Sequence, residues 1–429
     1  MNPRYILTAN DLLVFIKKVF NYTRSISGHG VRRTLNNAKE LIPELEIFEV
    51  PTGTNIWDWT VPQEWVFRAA RILNAKGDII LDAKNNNLHV VSYSEPVNRT
   101  ISLEELQKNL YSMPQFPDAI PYKTSYYERR WGFCIEDKVR KQLLPGDYQV
   151  LIDSSFVDGS MTLGQIYIPG SVKSEILFST YICHPSMANN ELSGPAIALG
   201  LASYIKSTRN HYSYRILFCP ETIGSLYFLS RNLDHLKSNL IAGYVLTCLG
   251  DELAWNYMPS RTGSTLSDKI AKRVLKKLNI EYILNSFLSR GSDERQYCSP
   301  NIDLPVCSVM RSKYGTYPEY HTSKDDINFI SENGLRDSLN FYKAVIDEFE
   351  SNKIPKLKIF GEPMLSKRSL RSTLGGSVLS QDESLISNII AYSDGTNDTT
   401  EMADLFNASP TSLNLILALL EKNEIISLL

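Results

Sequence analysis

The apolar runs of this chain are short, and several end in a polar loop that opens onto a helical pattern. The clearest lies between Glu175 and Gly194. Ile176 to Cys183 is an apolar run of strand length, His184-Pro185 ends it, and Met187-Ala188-Asn189-Asn190-Glu191 forms the loop. Ser193 stands where a side chain caps a helix running on through the small residues GPAIALGLASYI. A second buried run, YRILF, follows that helix, so the pattern predicts a parallel β-α-β unit. AGYVLTCLGDE and LPVCSVMRS repeat the buried-strand pattern with the helical SDKIAKRVLKKL between them. NGLRDSLNFYKAVIDEFE then reads as an amphipathic closing helix. With YQVLIDSS and SMTLGQIYIPG as further strands, the alternation predicts an α/β domain: a mostly parallel sheet with helices on both faces.

The flanking patterns divide the chain. ANDLLVFIKKVF and VRRTLNNAKELIPEL are helical, and EIFEVPTGT leaves them as a strand. From about Pro51 the texture changes to short alternating segments separated by KG and KNNN turns, with Trp57, Trp59 and Trp65 close together. This predicts a small β-rich module over 51–115, inserted into an α/β domain made of 1–50 and 116–354. Its tryptophans could cover a pocket, form a subunit contact or make a small aromatic core. After Pro355 the chain reads as a linker, 355–380, carrying Lys356, Lys358, Lys367, Arg368 and Arg371. Three short helical patterns and a terminal apolar run over 381–429 fit a winged helix-turn-helix.

Charge narrows the partners. The chain has a net charge of -2, which gives no electrostatic reason for nucleic acid or an anionic membrane. Residues 381–429 hold eight acids and one base, a net of -7, where a DNA-reading face needs Lys and Arg. The acidic unit is therefore expected to dock on protein: a basic patch such as 356–371, in the same or another chain, with homo-oligomer formation included. No apolar run reaches the roughly 20 residues of a membrane span, and MNPRYILTANDLL lacks the pattern of a secretory leader, so a cytoplasmic location is expected. The six cysteines form no C-x-x-C pair and sit in apolar runs, as buried free thiols do.

Candidate chemistry collects at strand ends, where open α/β sheets place their ligand sites. His184, with Asn190 and Glu191, follows the first strand of the β-α-β unit and Glu221 follows the second. Asp251 follows the next strand, and His321 in EYHTSKDD comes late, with Asp293 upstream in RGSDERQYC. Each has a structural alternative, as a helix cap, a turn residue or a solvated loop. Two of the chain's six histidines sit beside strand-end acids, which favours one shared site.

The order of these residues resembles the zinc-dependent aminopeptidase family that includes bacterial leucyl aminopeptidases and glutamate carboxypeptidase. The resemblance is carried by His184, the run Asn190-Glu191-Leu192-Ser193-Gly194, Glu221 and Tyr320-His321-Thr322, and it covers roughly 1–50 and 116–350. The stretches VPTGTNIWDWTVPQEW, YYERRWGFC, CHPSMANNELSGP, PETIGS, RGSDERQYC and EYHTSKDD are similar to a bacterial aminopeptidase-like group with an inserted β domain and a C-terminal winged helix, associated with polysaccharide biosynthesis. The departures are specific. Asn190 replaces a metal-bridging Asp, and Ser186 replaces the Asp that orients the first His. Thr222 replaces the second acid of a Glu-Glu pair, and Cys248 stands where another Asp is expected. The resemblance then implies one zinc ion on His184, Glu191 and His321, a His₂Glu set, with Asn190 and Asp251 as secondary candidates. Glu221 is left as general base, and Arg290, Asp293 and Tyr320 are expected to hold substrate. The implied activity is hydrolysis of an amide in a peptide or small conjugate; the alternative is a ligand-binding or scaffold protein on a peptidase fold.

Overall fold

The computed structural model describes residues 5–370 and 381–428. The chain divides into two units, Met1–Val345 and Ile346–Leu429.

In the first unit, helices Ala9–Val19 (α1) and His29–Leu41 (α2) precede an eight-stranded sheet. Thr8 and Asp11 form a capping box at the start of α1. The strands are Glu46–Pro51 (β1), Ser160–Ile168 (β2), Glu175–Tyr181 (β3), Ser213–Cys219 (β4), Leu240–Val245 (β5), Trp255–Met258 (β6), Tyr282–Leu284 (β7) and Val306–Met310 (β8). Their order across the sheet is β1-β2-β4-β3-β5-β8-β6-β7. The centre, β4-β3-β5-β8, is parallel; β1 and β2 pair antiparallel with their neighbours, and β6 pairs antiparallel with β8 and parallel with β7. Every residue of β3 and β4 is buried, as suits largely apolar strands covered on both faces, and the buried Glu175 and Arg215 pair with each other. Between them runs Ser193–Lys206 (α3); Ile223–Asn239 (α4), Leu266–Lys277 (α5) and Glu332–Ser351 (α6) follow.

Two local expectations are corrected. Ser193 does not cap α3. Ala188–Leu192 forms a wide π-type turn that runs straight into the helix, and the Ser193 hydroxyl donates to the Asn189 carbonyl at 2.5 Å while accepting from the Leu249 N–H. A Cβ at Gly194 would collide with the Leu246 carbonyl and the Thr180 hydroxyl, so glycine lets this turn press against the ends of β3 and β5. YQVLIDSS, read as a strand of the central sheet, belongs instead to the β-rich module. Asp147–Val157 pairs with Glu64–Asn74 and Val97–Ser102 in a four-stranded antiparallel sheet. Buried and less buried residues alternate along most of it, which suits a sheet covered on one face. The module's sheet thus reaches Val157, well past the boundary read at 115. The segment between, carrying Tyr122, Tyr126 and Tyr127, lies against the loops at the carboxyl end of the central sheet through a bridge from Pro121 to Thr322.

In the second unit, Pro355–Leu357 (β9) pairs antiparallel with Ile426–Leu428 (β10) around helices Gln381–Tyr392 (α7), Thr399–Phe406 (α8) and Pro410–Lys422 (α9). Leu365, Ile389, Met402, Leu413, Leu417 and Leu420 form its core. The start of the supposed linker is therefore a strand and packed turn of this domain, while 371–380 lies outside the described residues. Among the described residues no helix is long and apolar enough to cross a membrane. All six cysteines are buried and unpaired.

Candidate functional site

Four loops converge at the carboxyl end of the parallel strands, and each carries a residue with left-handed backbone: Ser186 (φ 46°), Thr222 (φ 67°), Cys248 (φ 53°) and His321 (φ 54°). Such geometry costs roughly 1–3 kcal/mol per residue and persists only where the surroundings enforce it. Here hydrogen bonds distant in sequence do so. The Ser186 hydroxyl donates to Asn87 Oδ1 at 2.6 Å and the Thr222 N–H to Asp293 Oδ1 at 2.7 Å. The Cys248 carbonyl accepts from the Arg311 N–H, and the His321 carbonyl accepts from the Tyr122 N–H, both at 2.8 Å.

His184 is the most tightly held residue. Glu191 accepts from its backbone N–H and lies 2.7 Å from Nδ1, which sets the ring so that Nε2 faces Glu221 Oε2 at 3.8 Å. Arg24, fully buried, donates through Nε to Glu191 Oε1 at 2.7 Å and to the His184 carbonyl at 2.9 Å. Burial alone would push the His184 pKa down, but the bond to Glu191 and its charge overturn this and raise it. Glu191, expected as a metal ligand, thus has both oxygens committed. It replaces the missing Asp at position 186 as the carboxylate that orients His184.

The other expected residues fall into three groups. Glu221 lines the cavity, and burial raises its carboxyl pKa against the pull of His184. His321 stacks on Tyr320 with ring centroids 3.9 Å apart, its ring centre is 5.2 Å from that of His184, and Tyr122 contacts both imidazoles at 5.1 Å. Its buried Nε2 has no hydrogen-bond partner, and burial, then the charge of His184, lowers its pKa well below the ordinary value. Asp293 does not line the cavity. It is buried beneath the Glu221-Thr222 turn, accepting from the Thr222 N–H and the Ser225 hydroxyl, and burial and Glu221 push it up to about 7. Asp251 accepts from Asn189, Leu253 and Ser312, which occupies both of its oxygens. Arg290 is exposed and folds back on Phe287, away from the cavity.

Sequence reasoning missed Arg24, Arg295, Tyr122 and Asp325. Arg24 and Glu191 are 167 residues apart, so no spacing could pair them. Arg295 and Tyr122 sat inside RGSDERQYC and PYKTSYYERR without a marked role. Asp325, in EYHTSKDD, accepts from the backbone N–H groups of Asn189 at 2.6 Å and Asn190 at 2.8 Å, and so shapes the turn that carries Glu191. Burial pushes its pKa up to about 7 against those donors. In Asp325→Asn one N–H would face an amide NH₂, so we expect a loss of about 2 kcal/mol in chemical denaturation.

The cavity, about 290 Å³, is lined by His184, Glu221, Thr222 and Arg295 and walled by Trp59, Tyr126 and Tyr127. It is largely apolar with a few polar groups at one end, as small-ligand sites are. Two zinc ions do not fit the donors present. The Asn190 amide donates to the Tyr181 hydroxyl, Thr222 accepts from Arg295, and burial raises the Cys248 thiol to about 12. Among the described residues, the one trio of His, Cys, Asp or Glu donors within 4.8 Å is Cys183, His184 and Glu191, and the Arg24 guanidinium on Glu191 makes that a poor cation site. At the cavity the donors are His184 Nε2 and Glu221, 3.8 Å apart, which a single ion could share; His321, with its unpartnered Nε2, has its ring centre 5.2 Å from that of His184 but does not line the cavity.

Residues 13–352 match the model of a family described as a domain of unknown function, DUF4910, and residues 353–428 match a winged helix-turn-helix model. A Clostridium acetobutylicum protein, named provisionally for polysaccharide biosynthesis and for an aminopeptidase-like domain, is 44% identical over 402 residues, 92% of this chain and 91% of its own. A crystal structure from Clostridium acetobutylicum, provisionally a peptidase, is 41% identical with a TM-score of 0.82, covering 98% of this chain and 96% of that one. The zinc aminopeptidase BSAP of Bacillus subtilis shares the fold at 13% identity, TM-score 0.59, covering 81% of this chain and 96% of its own.

Proposed function

This chain belongs to the DUF4910 family, with an aminopeptidase-like domain followed by a winged helix, and on that premise we propose that it hydrolyses an amide bond with one bound zinc ion. The observation that carries this is the pair His184 and Glu221 in the cavity lining, with His321 beside them. His184 is fixed by Glu191 with Nε2 turned inward, Glu221 stands 3.8 Å from it, and the His321 Nε2 is neutral and unpartnered. His184 and His321 would hold the ion, which supplies Lewis-acid polarisation and acidifies a water. Glu221, its proton affinity raised by burial, takes a proton from the attacking water and returns it to the leaving nitrogen. The strained Thr222 turn, held by Asp293, aims the Glu221 carboxylate, while Trp59, Tyr126 and Tyr127 exclude water from the substrate's apolar part. The name of the Clostridium relative extends this to an amide in a precursor for polysaccharide biosynthesis.

A second reading, ligand binding without turnover, is favoured by Asn190, Thr222 and Cys248, which leave neutral groups at three positions where the related peptidases carry acids. Metal content separates the two. We expect about one zinc per chain by mass spectrometry of the purified protein, lost in His184→Ala and in His321→Ala. A metal-free wild-type protein would leave only the binding reading.

A further inference from the structure

Charge is placed unevenly among the side chains that line the cavity. Glu221 is the one carboxylate, and the proposed reaction uses it as the base. Arg295 is the one guanidinium, and nothing in that reaction uses it. It is exposed, donates to the Thr222 hydroxyl at 2.6 Å, and pairs with no carboxylate among the described residues. Its charge reaches Glu221 and Asp293 through space and pulls both carboxyl pKa values down against burial, but neither accepts a hydrogen bond from it. A guanidinium presents a planar fork of donors that matches a carboxylate or a phosphate. Most of this fork is free for a ligand.

The surroundings limit that ligand's size and character. At about 290 Å³ the cavity is at the small end of ligand sites, which run from roughly 300 to 1,000 Å³, so it suits a small conjugate. Trp59, from the hairpin that pairs Asn55 with Thr60, packs edge-on against Tyr127 with ring centroids 5.6 Å apart. These rings, 37% and 56% exposed, give the cavity an uncharged wall. A substrate with a free amino group is cationic at neutral pH. Here it would meet the like charge of Arg295 and find no carboxylate except the base. An anion meets the opposite situation. Position adds a second constraint. Thr222 directly follows Glu221, so Arg295 is bonded to the residue beside the base. Glu221 returns its proton to the leaving nitrogen, which puts the guanidinium on the amine half of the scissile amide.

We infer that the substrate is an anionic amide with a carboxylate or phosphate on the half that leaves as the amine, and that Arg295 selects it. The choice of half rests on the hydrolase reading above; the preference for an anion does not. Such a substrate has no free amine to offer, unlike the substrate of an aminopeptidase. Its uncharged half is left to the rings of Trp59 and Tyr127.

The test is isothermal titration calorimetry of the full chain with two matched pairs. They are N-benzoylglycine against N-benzoylglycinamide, and N-acetylglucosamine 6-phosphate against N-acetylglucosamine. Release of free amine from each compound is followed in parallel. A charge-assisted hydrogen bond is worth about ten- to hundredfold in affinity, so at least one anion should bind more tightly than its neutral counterpart by that factor. Arg295→Met should abolish the difference, and Arg295→Lys should keep part of it. Affinity for the neutral compounds should not change, because Arg295 is exposed and its exchange removes no buried group. Which pair shows the difference tells carboxylate from phosphate. Selective binding without release of amine would remove the hydrolase reading and leave Arg295 as the anion-selecting residue. Cleavage of neutral and anionic compounds bound equally well would keep the hydrolase reading and overturn this one. So would a loss of affinity for neutral and anionic compounds together in Arg295→Met, the mark of a role confined to the Thr222 turn. Failure of both anions to bind, an anion preference that survives Arg295→Met, or tightest binding of the cationic phenylalaninamide also overturns it.

Discussion

Glu221→Gln is expected to keep its metal and to lose amide hydrolysis by about 10²–10⁴-fold in kcat, the usual worth of a positioned general base. The amide is close in size to the carboxylate and can occupy the same strained turn beside Thr222, so the fold is not at stake. What is lost is the ability to accept a proton. The sign of the pH dependence follows from burial. Because burial raises the Glu221 pKa above the ordinary Glu range, the ionised base is lost as pH falls through that raised value. The acid limb of kcat/KM in the wild type should therefore lie above the usual carboxylate range, and the residual activity of the Gln variant should lack that limb. Loss of zinc from Glu221→Gln would instead identify Glu221 as a ligand. Unchanged turnover would remove it from the chemistry.

The second large effect is on stability. Arg24→Met should destabilise the protein by about 3–5 kcal/mol, since it strands the Glu191 carboxylate without its counter-charge in a fully buried place. The loss should exceed that of the double variant Arg24→Met, Glu191→Gln, in which no buried charge is left unpaired. Chemical denaturation of the three proteins measures this difference. The double variant should still bind zinc more weakly than wild type, by about 10–100-fold, because His184 loses the carboxylate that orients its ring. If Arg24→Met proves no less stable than the double variant, the ion pair does not hold the His184 loop.

How much of this was legible in the sequence depended on the range of the interaction. The buried strands β3, β4, β5 and β8 were plain from their largely apolar runs, because a strand covered on both faces is apolar at most positions; the exceptions Glu175 and Arg215 pair with each other. His184 and Glu221 were marked out by lying just beyond such runs, His321 by its place in EYHTSKDD, and the winged helix by three short patterns and a terminal strand. Local pattern failed where two sheets competed for one strand: Asp147–Val157 has the alternation of a one-faced sheet, and its pairing with Glu64–Asn74 removed it from the central sheet.

The site divides along the same line. The sequence by itself determined the residue types at the strand ends, including the neutral Asn190, Thr222 and Cys248 that argue against two metal ions. Only the tertiary structure decided what each side chain is for. It brought Arg24 onto Glu191 across 167 residues, turned Glu191 from ligand into the group that orients His184, and left the His321 Nε2 unpartnered. It spent Asp251 on loop N–H and hydroxyl groups and turned Arg290 outward. The physical reason is that a carboxylate's role is set by which donors reach its oxygens first. Those donors come from loops joined only when the sheet has assembled.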